Sequence, residues 1–110
     1  MKYKLLPYIE KKLKDVNKEE DKYVSVVALL LDLDAESGIG TIKDGDEEVV
    51  IIISKKSVFS KLFPNKKYLF YGVVMPFENG FELKIENASE MDNLDEDLYE
   101  KYLTLKKQKI

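Results

Sequence analysis

The sequence predicts a mainly β fold, a small closed barrel of five strands flanked by an N-terminal and a C-terminal helix. Three observations lead there. Residues 23–53, YVSVVALLLDLDAESGIGTIKDGDEEVVIII, divide into three strand-like runs joined by Ser37-Gly38 and Asp44-Gly45-Asp46, turn chemistry that admits positive φ. Two further runs follow: YLFYGVV with a central glycine, as expected where a barrel strand bends, and FELKIEN with clean alternation. The two ends of the chain carry apolar residues at helical rather than strand spacing.

Composition narrows the chemistry. A chain of 110 residues can bury one core without covalent staples. It has no cysteine and no histidine, which excludes disulfides, thiolate or imidazole zinc sites and His-based nucleophilic catalysis. No cofactor is expected. All 18 basic residues are lysine, so the planar guanidinium fork that reads guanine or phosphate in bidentate fashion is missing. The Lys/Glu-rich composition is like that of heat-adapted proteins, though genome base composition produces it too. A net charge of −3 argues against a main task of gripping a polyanion non-specifically, while leaving room for a local basic groove. With no long apolar run and no signal-peptide pattern, an intracellular protein is expected.

Taken in order, residues 1–22 hold seven lysines against five acids. Pro7 suits a first helical turn, and Ile9, Leu13 and Val16 follow at i, i+4 and i+7, predicting an amphipathic helix from Pro7 to Val16 and a charged linker after it. The first strand, Tyr23–Asp34, should turn Val24, Val26, Ala28 and Leu30 inward and Ser25, Val27 and Leu29 outward, with Leu33 returning inside after a bulge near Leu31–Asp32. The second, Ile39–Lys43, should bury Ile42 and expose Ile39, Thr41 and Lys43. The third, Glu47–Ile53, is apolar on both faces. Ser54–Phe63 reads as one short helix capped by Ser54 or Ser57 and ended by Pro64-Asn65. In the fourth strand, Lys66–Met75, Phe70, Gly72 and Val74 share one face, and Leu69, Tyr71 and Val73 the other. After a turn at Glu78-Asn79-Gly80, the fifth strand, Phe81–Asn87, points Phe81, Leu83 and Ile85 inward.

The C-terminal stretch is the best-signalled helix. Asn93 with Glu96 is similar to a capping box, with Asp92 as the alternative cap; acids crowd the first turn and lysines the last, in accord with the helix dipole. Leu94, Leu98, Tyr102 and Leu105 form one stripe that Tyr99 and Leu103 widen, an arc broader than docking on a single barrel requires. The expected organisation is therefore one domain: residues 1–22 helix and linker, 23–90 barrel, 91–110 partner-binding helix.

Three strands, a short helix and two strands are the order of an OB-fold, a five-stranded Greek-key barrel. TIKDG (Thr41–Gly45) resembles the hairpin of replication protein A-type OB domains, YLFYGVV (Tyr68–Val74) their fourth strand, and LDEDLYEKYLTL (Leu94–Leu105) the C-terminal helix of that complex's smaller subunits. Ala28 departs from the pattern, standing where the family's first strand usually has glycine. The resemblance implies a non-enzymatic accessory subunit of a complex that binds single-stranded DNA in replication or repair. Its partners would be other OB-fold subunits or a replication or repair protein, held through Leu94, Leu98, Tyr99, Tyr102, Leu103 and Leu105.

OB domains that bind single strands stack bases on aromatics while lysines follow the phosphates. The candidate nucleic-acid residues here are Lys43, Lys55, Lys56, Lys66 and Lys67, with Tyr68 and Tyr71 as stacking platforms. Each has a plainer reading: Lys43 lies among Asp44, Asp46, Glu47 and Glu48, Lys55 and Lys56 solvate a helix start, and Tyr68 belongs partly to the core. Val27, Leu29, Ile39, Leu69, Tyr71 and Val73 would together make a greasy outer patch, to be covered partly by the chain's own N-terminus and partly by a partner. Asp32, Asp34 and Glu36 have the spacing of a carboxylate metal cluster, but solvated acids at a strand end are ordinary. Two rivals to the subunit reading remain: a stand-alone single-strand binder, and a protein–protein adaptor that never touches nucleic acid.

Overall fold

Period-two alternation of apolar side chains dictates most of the architecture. The structure, a computed structural model, describes residues 8–91 and Lys101. Its elements are β1 (Ile9–Glu10), β2 (Tyr23–Leu33), β3 (Ile39–Asp44), β4 (Glu47–Ile53), α1 (Lys56–Phe59), β5 (Lys67–Phe77) and β6 (Gly80–Glu90). Strands β2 to β6 form the closed circuit β2-β3-β4-β6-β5 and back to β2, a mainly β, five-stranded barrel. All neighbours in the circuit are antiparallel except β4 and β6, which the passage through α1 and β5 leaves parallel. That Greek-key circuit is the OB-fold.

The interior is filled by the residues that alternation selects. Val24, Val26, Ala28 and Leu30 from β2 meet Ile42, Val49, Ile51 and Ile53 from β3 and β4, and Phe70, Val74, Leu83 and Ile85 from β5 and β6, all buried. Burying each of the larger of these side chains stabilises the fold by about 1.5–3 kcal/mol relative to exposing it. On β4 only one face is inside: Val50 is 38% exposed and Ile52 half-buried.

Closure needs curvature, and two bulges supply it. In β2 the register runs Leu30↔Ile42 and then Asp32↔Thr41, so the extra residue Leu31 returns Leu33 to the core side, as expected. In β6 the register jumps at Glu86, from Gly72↔Ile85 to Tyr71↔Asn87, and carries Ala88 inside. A side chain at position 72 would place its Cβ 3.1 Å from the Lys84 carbonyl oxygen and 3.3 Å from Ile85 Cδ1, which is why the bend opposite this bulge takes glycine. The turns at Gly38 (φ 75°) and Gly45 (φ 65°) have the positive φ that their sequences foretell.

The N-terminus corrects the expectation of a Pro7–Val16 helix. Ile9 and Glu10 instead pair in parallel with Val24 and Ser25 on the edge of β2 that β3 leaves open, and the Lys11 N–H donates to the Ser25 carbonyl (3.0 Å). A single 3-10 turn follows at Leu13–Asp15. Three apolar residues give a ten-residue helix little to dock with, whereas an open strand edge offers ready backbone partners. The segment still caps the barrel: Leu13 is 2% exposed in the core, Val16 packs beside it, and Ile9 is left 52% exposed. A clip holds the segment. Asp21 accepts the Asn17 N–H (2.8 Å) and pairs with Lys11 (3.0 Å), while Asn17 Oδ1 accepts the N–H groups of Glu19 and Glu20.

The Ser54–Phe63 helix is also shorter than expected. Only Lys56–Phe59 are α-helical, and the cap position is Lys55, with no side-chain cap from Ser54 or Ser57. The Ser60 hydroxyl donates to the Ser57 carbonyl, competing with helix propagation, and the chain then turns at Asn65 (φ 73°) to give its N–H to the Leu30 carbonyl (2.7 Å). Val58 and Leu62 nonetheless seal this end of the core. The expected C-terminal helix lies outside the described residues. Among the described residues, no helix is long and apolar enough to cross a membrane.

Two measurements test the N-terminal segment. Leu13→Ala should lower the unfolding free energy by about 2–5 kcal/mol in denaturant titrations; a change under about 0.5 kcal/mol would mean that Leu13 is no part of the core. The Asp21 carboxyl is held below its ordinary value of 3.8, chiefly by the Asn17 N–H and further by Lys11. A depressed carboxylate stabilises the fold above its unfolded pKa, and that stabilisation is lost as pH falls through the native value. Thermal melts of Asp21→Asn should therefore lose less stability between neutral pH and pH ~3 than the wild type; parallel acid limbs would remove the clip from the account.

Candidate nucleic-acid interface

The outer face of β3 and β4 is set by pairs that alternation turns away from the core: Ile39↔Ile52, Thr41↔Val50 and Lys43↔Glu48. Ile39 is 46% exposed. No aromatic ring stands among these outward residues, and Lys43 faces Glu48 across the strands. Lys43 has a second neighbour, however. Leu29 pairs with Lys43 on one side and Lys67 on the other, so both lysines flank it and line one small cavity of about 250 Å³ with Val27 and Ala28.

The other lysines lie towards the α1 end. Lys55 and Lys56 are exposed and line a groove of about 380 Å³ between the Ala35–Gly38 loop and Phe59. Lys66 pairs with Glu90 at 2.7 Å, an exposed contact that raises the Lys66 pKa through the hydrogen bond to that carboxylate, and its ammonium lies 5.9 Å from the centre of the Phe63 ring. Exposed pairs of this kind contribute little to stability. The structure thus brings Lys55 and Lys56 together, and Lys43 and Lys67, but makes no single cluster of the five.

The two tyrosines part company. Tyr68 shares the inward phase of Phe70, is 2% exposed and has its ring 5.6 Å from that of Phe70. Its hydroxyl accepts the Phe63 N–H at 2.8 Å. This corrects the expectation of a stacking platform: the ring has no face turned to solvent. Tyr71 points outward and is half-buried. The ring of Tyr8 meets it edge-on at 5.3 Å and meets Tyr23 at 5.8 Å, and the Tyr8 hydroxyl donates to Glu86 Oε1 at 3.2 Å. Burial, followed by the Glu86 carboxylate, holds the Tyr8 phenol above its ordinary value of 10.0. Tyr8, Tyr71, Lys55, Glu86, Asn87 and Ser89 enclose a groove of about 350 Å³.

The expected outer patch is accordingly smaller than the sequence suggests. Val27 is 8% exposed, Leu29, Leu69, Tyr71 and Val73 are half-buried, and Tyr8 covers part of Tyr71. Tyr8 is the residue that sequence reasoning missed, because its role depends on a strand 60 residues downstream and no local pattern marks it. The acids at the end of β2 serve the turn. Asp34 accepts the Ser37 hydroxyl (2.8 Å) and the Glu36 N–H (3.3 Å), contacts that lower its pKa, the hydroxyl first. Among the described residues, no group of three His, Cys, Asp or Glu is placed to hold a metal ion. The partner-binding candidates Leu94, Leu98, Tyr99, Tyr102, Leu103 and Leu105 lie outside the described residues.

No protein-family model matches the chain, and no curated protein matches it. Solved structures do. The chain is similar to a structure of a replication protein A heterotrimer bound to single-stranded DNA, at a TM-score of 0.60 and 14% identity, over 76% of this chain and 68% of that one. It is similar to the telomere capping protein Ten1 from Schizosaccharomyces pombe, at 0.67 and 11%, over 90% of this chain and 96% of that one. The S. pombe Stn1–Ten1 complex gives 0.61 and 17%, over 80% and 73%. Asparaginyl-tRNA synthetase from Entamoeba histolytica also matches, at 0.62 and 10%, over 78% of this chain but only 24% of the synthetase. At such identities the likeness is one of fold, the OB barrel that the strand circuit defines.

Burial of Tyr68 generates a direct check. Tyr68→Phe should destabilise the barrel by about 1–2 kcal/mol by stranding the Phe63 N–H, and should leave any affinity for single strands unchanged. A loss of strand affinity without loss of stability would return the ring to the interface.

Proposed function

We propose that this chain is an intracellular, non-enzymatic accessory subunit of a replication protein A-like complex that binds single-stranded DNA in replication or repair. The observation that carries the reading is the fold likeness to proteins solved as members of such assemblies, a replication protein A heterotrimer on single-stranded DNA and a Stn1–Ten1 complex, together with near end-to-end coverage of Ten1. The sequence adds the means of association. The apolar stripe Leu94, Leu98, Tyr99, Tyr102, Leu103 and Leu105 supports partner binding by a helix laid into a groove or bundle, driven by burial of its apolar surface. Residues 91–110 then act as a partner-binding tail on a barrel formed by residues 23–90. The outer face of β3 and β4, with its isoleucines and its Lys43–Glu48 pairing and without a ring, supports a chain whose main contribution is architectural.

The test is association. Leu98→Asp should abolish co-purification with other single-strand-binding subunits from the native cell extract, while the thermal melt of the barrel stays within a few degrees of wild type. Unfolding of the variant would assign the stripe to the domain's own core; unchanged association would remove the C-terminal segment from the interface.

A further inference from the structure

We propose that a single-stranded nucleic acid crosses this barrel at its α1 end, over Lys55 and Lys56 and onto the Tyr71–Tyr8 ring pair, and not across the outer face of β3 and β4. The inference rests on the reading of the chain as part of a single-strand-binding complex, and names the surface this subunit offers to the strand.

The geometry sets cations and rings, the two halves of single-strand recognition, side by side. The groove beside Phe59 and the groove beside Tyr71 both have Lys55 in their linings, so they adjoin at that lysine. Their volumes, about 380 and 350 Å³, lie in the range of small-ligand sites. Lys55 and Lys56 are exposed, and neither forms an ion pair with another described residue. Lys43 and Lys66, by contrast, face Glu48 and Glu90.

The stacking element is pre-organised. Tyr71 is braced edge-on by Tyr8, and Tyr8 is tethered through its hydroxyl to Glu86, which fixes the ring pair. Asn87 holds its side chain in place by accepting both its neighbour Ala88's N–H (2.8 Å) and the Lys61 ammonium (3.2 Å), bringing a third cation to the rim of the groove. Two acids stand on the route, Glu86 beside the rings and Glu36 in the loop groove, against Lys55, Lys56 and Lys61. Sequence-tolerant stacking needs an exposed π-face and adjacent cations. The α1 end sets lysines beside two half-buried rings, and the β3–β4 face, lined by Ile39, Val50 and Ile52, provides no ring.

Fluorescence anisotropy of the full chain with a labelled oligothymidylate of about 30 nucleotides, at low and near-physiological salt, tests the route. Lys55→Glu with Lys56→Glu should weaken binding about tenfold or more and flatten its salt dependence. Tyr71→Leu, which keeps apolar cover for Tyr8, should weaken it about fivefold or more. Lys43→Glu with Lys84→Glu, the latter exposed on β6 opposite Ile52, should change it less than about twofold. If Tyr71→Leu proves unstable, photo-crosslinking of wild type to an iodouracil-substituted strand keeps the question open to an answer: adducts on Tyr71 or Tyr8 support the route, and adducts confined to β3 and β4 overturn it. Loss of binding in the Lys43/Lys84 variant alone would also overturn the route while leaving the complex reading intact. Failure of the wild type to bind at low salt would overturn the route too, whereas the complex reading fails only when partner association itself is absent.

Discussion

Closure of this sheet depends on β2, which hydrogen-bonds to β5 and to β3 along different parts of its length. Its first seven residues pair with β5 and its last with β3, and Leu29 is the hinge that pairs with both. The bulge after Leu30 turns the strand from one partner to the other. Here the bulge stands in for a glycine in bending the strand, since Ala28 is buried and paired with Tyr68 in regular register. Without that dual pairing, Val24, Val26 and Leu30 would have no interior to fill.

The same constraint shapes the surface. Because β3 leaves the N-terminal half of β2 unpaired on one side, an edge is open there, and β1 fills it. That contact brings Tyr8 over the outside of the barrel to Tyr23 and Tyr71 and fixes its hydroxyl on Glu86. The bulge at Glu86, needed to curve β6, also turns Asn87 out towards the Lys61 ammonium. Barrel closure thus gathers rings, an amide and lysines at one end, while the face of β3 and β4 keeps isoleucines and sets Lys43 opposite Glu48.

Much of this was legible in the residues. Alternation foretold the inward sets of β2, β3 and most of β6, though Ser25 and Val27, outward by that pattern, are buried too; turn glycines foretold the turns, and the barrel pattern the first bulge. What misled was short-range spacing. Ile9, Leu13 and Val16 suit a helix, but the distant open edge of β2 outweighs three side chains, and no local pattern announces an edge. The second bulge was invisible because Glu86 and Asn87 still look like an outward–inward pair until Ala88 is seen inside. Tyr68 shares parity with Phe70, and the inward phase puts its ring in the core. Tyr71, of opposite parity, stays at the surface. Tyr8 required the tertiary structure.

The most direct test of the account is native mass spectrometry of the untagged assembly isolated from the chain's own cells, with and without added single-stranded DNA. The account predicts one species containing this chain with at least one further single-strand-binding subunit, which gains the mass of the strand on addition. A chain that is recovered only by itself, with no change in mass on adding the strand, would contradict it.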